Sequence, residues 1–260
     1  MATGNNSATA TFWEHLDELR AVIIRSLVVV VAAAAVAFCL KDTLFQVVLA
    51  PAAGDFVTYR LLGAETFHLH LMNTGLTEQF MIHVKTAMYA GLLTASPYVL
   101  YQLFRFVSPG LYDSERRYAV AIVGSAYVMF VVGTLLNYFL VFPLTVRFLG
   151  TYQVSPDVDN MLTIQSYIDT LISMCLMMGV VFELPVVCGL LGRMGLISGR
   201  QMSQYRRHAV VAILIVAAIV TPTTDVFTLL VVTLPIWLLY ELSIGIVRLT
   251  APSRRAAERR

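Results

Sequence analysis

The chain has 260 residues, of which 58% are hydrophobic and 13% charged, with a mean hydropathy of +0.75 and a formal net charge of +2. That composition excludes an ordinary soluble domain and identifies an integral membrane protein, with no nucleic-acid partner expected. Cys39, Cys175 and Cys188 are odd in number and lie in apolar runs, so they read as small packing residues and not as a disulfide framework.

Taken in chain order, Met1 to Thr11 is small and polar and lacks the basic start and apolar core of a cleavable leader, which predicts a short mobile tail. Phe12, Leu16, Leu19 and Ile23 then recur at helical spacing, while Glu14, Asp17 and Glu18 stand at i, i+3 and i+4. One helix at the membrane surface would carry an apolar and an acidic stripe, so residues 1–20 read as a cytoplasmic tail with an interfacial helix. Six apolar spans follow, at about 21–40, 78–104, 118–142, 167–192, 208–220 and 226–247, and residues 248–260 form a basic tail. Each span is helical because backbone groups in lipid must be satisfied within their own segment. The expected fold is therefore an all-α polytopic membrane protein of one domain over residues 1–260.

An even span count puts both termini on one side. That side holds Arg20, Arg25, Arg105, Arg116, Arg117, Arg193, Arg200, Arg206, Arg207, Arg248, Arg254, Arg255, Arg259 and Arg260. Only Lys41, Arg60, Lys85 and Arg147 remain for the other side or the outer halves of spans. The excess makes the terminal side cytoplasmic. The last two helices look short: His208 to Val220 is 13 residues, about 20 Å, and Val226 to Tyr240 is 15, about 22 Å, against a hydrocarbon core of about 30 Å. A tight turn at Thr221 to Asp225, with Pro222, makes them a hairpin, over which either the bilayer thins or flanking polar residues snorkel. On the outer side, Pro51, Gly54, Gly63 and Gly75 divide Lys41 to Thr77 into short surface helices that act as a lid, and Pro143 to Ser166 is a second outer segment. His68 and His70 lack further ligands nearby and read as surface histidines, so no metal is expected.

Carboxylates set into a basic cytoplasmic rim are poor topology signals and good receptors for a cation. Glu14/Asp17/Glu18 is one such cluster; a solvated face with Arg20 as internal partner is the plainer alternative. Asp113/Glu115 is the other, between the second and third spans, where Ser108-Pro109-Gly110 ends a helix and Glu115 begins the next. A stabilising carboxylate at a helix start is the alternative there. Glu183 lies ten residues from Arg193, about 15 Å of helix and near mid-membrane, where a charge costs roughly 2.5 to 3.5 kcal/mol or more. It should face water or a partner, or be protonated; Gly179, one turn earlier, leaves room for water or a neighbouring helix, and Pro185 implies a bend. Glu241 should snorkel to the interface, and Asp225 should cap the last helix.

His15-Leu16-Asp17-Glu18-Leu19-Arg20, Phe106-Val107-Ser108-Pro109-Gly110-Leu111-Tyr112 with Glu115-Arg116-Arg117, Phe182-Glu183-Leu184-Pro185, and Thr221-Pro222 with Asp225 together resemble the TatC family. These are the receptor subunits of twin-arginine protein translocases. The resemblance runs from about Phe12 to Val247. It implies six helices in a glove shape with a concave face, a cytoplasmic-membrane location, TatA and TatB single-span partners, more than one copy per assembly, and export of folded proteins by the protonmotive force without nucleotide or cofactor. By the same resemblance, Glu18 and Glu115 receive the arginine pair of a signal peptide, and Arg20 with the Pro109-Gly110-Leu111-Tyr112 turn shapes that surface. Glu183 is the polar residue of the concave face, and Thr221, Asp225 and Leu229 mark a contact with partner helices. Two details depart from the family pattern: Val22 stands where a second base is common, and Leu229 where glutamine is common.

Other classes fit less well. A proton-coupled secondary transporter could use Glu183, yet no pair of matching broken spans marks inverted repeats. An enzyme is not expected, since there is no His-Glu-x-x-His or Gly-x-Ser-x-Gly, and neither Lys41 nor Lys85 follows the glycine of a phosphate loop.

Overall fold

The computed structural model of the chain describes residues 5–61, 63, 69–107, 119–153, 155, 161–222 and 225–250. They are helical almost throughout and gather into two compact units, Met1–Lys41 with His83–Tyr127, and Asp42–Ile82 with Val128–Arg260. Among the described residues, four helical stretches combine the length and apolarity of a bilayer crossing: Leu16–Cys39, Ala121–Thr151, Ile164–Arg193 and Val226–Thr250. Large apolar side chains such as Val28, Val36, Ile219 and Leu234 remain on the protein surface, as a lipid-facing helix requires.

In the first unit, α1 (Asn5–Cys39) is a single helix of 35 residues. The separate surface helix and the mobile tail up to Thr11 are therefore corrected: from Asn5 onward the acidic segment is the continuation of the first span. No glycine or proline lies between Asn5 and Cys39, so nothing interrupts the backbone. Near its far end α1 meets α4 (Glu78–Val107) at Gly91, where a Cβ would stand 2.7 Å from Ala34 Cα. His83 stacks on Phe38 with ring centroids 3.9 Å apart and donates through Nε2 to the Phe38 carbonyl at 3.1 Å. Pro97 lies inside α4 and cannot donate to Leu93; the Ser96 hydroxyl takes that carbonyl instead, at 2.7 Å.

The second unit holds short helices α2 (Lys41–Leu49, its first residue aside) and α3 (Val57–Leu61), with a 3-10 turn at Ala50–Ala52 between them, which agrees with the divided lid. Two-residue strands β1 (Leu71–Met72) and β2 (Leu162–Thr163) pair in parallel, Leu71 with Leu162. Glu78 joins the same loops. Its carboxylate accepts from the Thr74 and Gly75 amides at 3.0 and 2.7 Å, from the Thr74 hydroxyl at 3.2 Å, and from the Gln165 amide at 3.2 Å. Gln165 is in the first turn of α7 (Ile164–Val181), where the helix dipole also favours a carboxylate.

The third span does not stop before Pro143. After α5 (Ala119–Leu136) come one π-helical turn, Asn137–Val141, and α6 (Phe142–Thr151), so the stretch expected to begin an outer segment continues the helix. Proline removes the bond to Phe139, and the wider turn with the Thr58 hydroxyl, which donates to the Phe139 carbonyl, replaces it. Tyr59, 1% exposed, donates to the Pro51 and Pro143 carbonyls at 2.9 and 3.1 Å. Burial pushes its phenol well above the ordinary value, with Arg147 only partly opposing, so it stays a donor.

The remaining helices are α8 (Leu184–Arg193), α9 (Gly199–Gln204), α10 (Arg206–Val220) and α11 (Val226–Thr250), and Ile168, Met174, Met178, Val232, Ile236 and Val247 form the buried centre of the unit. Of the two final helices only α10 is short. α11 runs 25 residues through Pro235 and Glu241, about 37 Å. The helix continues ten residues beyond Tyr240, past Glu241, which pairs within the unit.

Tyr59→Phe should remove the buried donor that the Pro51 and Pro143 carbonyls share and cost about 1 kcal/mol. Thermal unfolding of the full chain in detergent should show a lowered Tm; an unchanged Tm would rule out this anchor.

Candidate functional site

Asp17, Glu18 and Arg20 are all exposed on α1, at the end that leads into the first apolar stretch. Their common helix fixes their relative directions without any loop. The second carboxylate region, including Asp113, Glu115, Pro109, Gly110, Leu111 and Tyr112, lies outside the described residues, as do His68 and the tail beyond Thr250.

Glu183 stands at a break between α7 and α8, where Phe182 and Glu183 leave the regular helix. Pro185 is the cause, since it has no N–H for the Val181 carbonyl. The Glu183 carbonyl then accepts from both Val186 and Val187 at 3.0 Å. Upstream of the break, α5 presses close: a Cβ on Gly133 would lie 2.7 Å from the Met178 carbonyl oxygen, and one on Gly179 would lie 2.7 Å from the Phe130 ring and 3.0 Å from Thr134 Oγ1. The space at Gly179 is thus taken by a neighbouring helix. Glu183 is half-buried, and its Oε1 is buried without a hydrogen-bond partner among the described residues. A carboxylate oxygen in that condition costs free energy unless something outside the chain meets it.

Asn137 is fully buried in the π-helical turn and donates at 3.1 Å to Sγ of Cys175, about two turns before Glu183. Cys175, Gly179 and Glu183 recur every four residues, so this polar contact and Glu183 share a helix face. Asn137 was not foreseen; an asparagine six residues before Pro143 within an apolar span was the available signal.

At the start of α11, Asp225 Oδ1 accepts from the Thr228 amide at 2.6 Å, the cap expected from its position. Thr221 is buried and its hydroxyl bonds the Ala217 carbonyl at 3.0 Å, so it finishes α10; Leu229 is half-buried in the first turn of α11. Glu241 does not simply snorkel. Arg206 Nη2 approaches it to 2.6 Å, joining α10 to α11, a pair that sequence separation concealed. Glu78 was also missed as a structural residue: Gly75, and no Ser or Thr, stands three residues before it, so no capping-box pattern marks it. Among the described residues no cluster of His, Cys, Asp and Glu is arranged to hold a metal.

With this geometry the chain was compared with known proteins. Residues 14–235 match the family model described as TatC, Sec-independent protein translocase protein. The Sec-independent protein translocase protein TatC of Koribacter versatilis is 36% identical over 251 residues, 96% of this chain and 89% of that protein. Its counterpart in Deinococcus radiodurans is 34% identical, covering 93% of this chain and 87% of that one. A crystal structure of the twin arginine translocase receptor TatC is similar with a TM-score of 0.75 at 30% identity, over 91% of this chain and 99% of that chain.

Gly179→Val should force Phe130 and Thr134 aside and cost about 1 to 3 kcal/mol. Gly245→Ala, where a Cβ meets nothing within 4 Å, should leave stability equal or slightly improved. Thermal unfolding of both variants checks the pair, and equal effects would contradict the tight crossing of α5 and α7.

Proposed function

The chain belongs to the TatC family of Sec-independent protein translocase proteins, and we propose that it is the receptor that holds twin-arginine signal peptides for export of folded cargo. The observation that carries this reading is Glu18, an exposed carboxylate beside Asp17 and Arg20 on the unbroken helix that enters the first apolar stretch, inside the matched residues 14–235.

A guanidinium offers a planar fork of donors that a carboxylate accepts in pairs, whereas an ammonium is a point charge. Two carboxylates, Glu18 and Glu115, therefore read an arginine doublet by geometry as well as charge. Arg20 and the Pro109-Gly110-Leu111-Tyr112 turn shape the surface around them. Glu183, with its unmatched oxygen in the middle of a broken span, lines a wet groove and offers a polar contact to a partner helix or a passing chain. Thr221, Asp225 and Leu229 border a contact for the single-span subunits TatA and TatB. The apolar leucine at that last position limits the contact to packing there.

The proposal places six helices in the cytoplasmic membrane with both termini inside, since the arginine excess lies on the terminal side. Several copies assemble with the partner subunits, and the protonmotive force drives transport without a chemical step by this chain. A secondary transporter working through Glu183 is disfavoured by the family match. Such a transporter would move a small solute when reconstituted alone and would ignore an Arg-Arg peptide.

Glu115→Gln and Glu18→Gln should each weaken signal-peptide binding by about 1.5 to 3 kcal/mol, or roughly 10- to 150-fold. Site-specific photocrosslinking from both positions should favour Arg-Arg over Lys-Lys peptides. Equal capture by the doubly neutralised protein would end this assignment. Glu183→Leu should abolish transport while crosslinking of the peptide near Glu18 persists; intact export in that variant would remove the groove role.

A further inference from the structure

α9 is a six-residue helix with a capped start, pinned against α11 at two points. The Ser198 hydroxyl and Gln201 form a reciprocal capping box that fixes its start. The Tyr240 hydroxyl donates to the Met202 carbonyl at 2.8 Å. Between them, Gly199 is buried so closely against α11 that a Cβ would collide with Arg248 Cγ and stand 3.3 Å from the Ile244 carbonyl oxygen. Only glycine allows this approach, and the aliphatic stem of Arg248 runs along it.

The pinned helices border a shallow, open cleft of about 660 Å³ lined by Arg200, Ser203, Gln204 and Arg248. All four lining residues are polar or basic, and no carboxylate is among them. Among the described residues the guanidinium groups of Arg200 and Arg248 meet no hydrogen-bond or ion-pair partner, whereas the nearby Arg206 is matched by Glu241 at 2.6 Å. Two guanidiniums carried by separate helices, with a hydroxyl and an amide between them, make a site for a tetrahedral anion.

We propose that this cleft binds the phosphate of an anionic phospholipid headgroup. The setting favours lipid over a soluble anion. Leu249, 88% exposed, directly follows Arg248, and Tyr205, 57% exposed, directly follows Gln204. An apolar side chain next to each wall of a basic cleft, at the end of a bilayer-crossing helix, suits a molecule whose head is anionic and whose tail is hydrocarbon. The inference rests on the membrane embedding of the chain and not on its reading as a peptide receptor, because the basic cleft repels an arginine doublet.

Native mass spectrometry of the full chain in an uncharged detergent tests the assignment, with dioleoyl phosphatidylglycerol, dioleoyl phosphatidylcholine and inorganic phosphate as separate probes. The wild type should retain phosphatidylglycerol in preference to phosphatidylcholine, and millimolar inorganic phosphate should not displace it. The R200Q/R248Q variant should bind phosphatidylglycerol about tenfold more weakly or worse, a loss of about 1.4 kcal/mol. R193Q/R207Q, which removes the same charge elsewhere, should stay within about twofold of the wild type, as a localised site and not general attraction requires. Should the glutamine variant not fold, R200K/R248K keeps the charges and stems but loses the forked geometry, and is expected to bind several-fold more weakly; equal binding by it overturns the proposal. Equal loss in R193Q/R207Q also overturns it. So does displacement by inorganic phosphate, which would assign the cleft to a free anion, or equal retention of the two lipids, which would leave an acidic protein segment as the better occupant.

Discussion

A proline within an apolar helix removes one N–H from a backbone that lipid cannot solvate, so the carbonyl four residues earlier must be satisfied from elsewhere. Much of this chain is arranged around that demand. At Pro97 the neighbouring Ser96 hydroxyl turns back to the Leu93 carbonyl, and α4 continues. At Pro143 the helix widens by one π turn and a residue from the distant helix α3, Thr58, reaches the Phe139 carbonyl. At Pro185 the helix breaks, and Glu183 occupies the break. The same chemistry thus gives a local repair, a long-range anchor and an open interruption.

The last of these connects packing to function. Gly133 and Gly179 let α5 and α7 cross at backbone distance immediately before Glu183, which holds the end of α7 firmly. A carboxylate carried on a rigid, interrupted helix can leave one oxygen unmatched without collapsing onto its own chain. Polar groups in lipid are costly, and their persistence in a well-packed setting marks a contact reserved for something else. Glu18 follows the opposite logic: it stands exposed on a continuous helix, where desolvation costs little and a cation can approach from water.

How much was legible depended on the range of the interaction. The apolar spans, the bend at Pro185 and the cap at Asp225 are short-range consequences of residue type and were readable directly. The continuity of α1 was also written in the absence of glycine and proline, although the change from acidic stripe to apolar run suggested two elements. The pairing of Glu241 was not legible: its partner Arg206 is 35 residues away, and no local pattern announces that pair. The helix beyond Pro143 was missed for a related reason, since the donor that rescues the freed carbonyl comes from Thr58, 81 residues earlier.

By itself the amino-acid sequence determined the class, the helical segments, the charge asymmetry and the family, because each follows from composition, hydrophobic length or motifs contiguous in the chain. Tertiary structure decided which interruptions become breaks and which are mended, how Glu183 is left with an unmatched oxygen, and that Arg200 and Arg248 face one cleft. Those outcomes depend on hydrogen bonds and close approaches between residues far apart in the chain, and such distances exist only once the helices have packed.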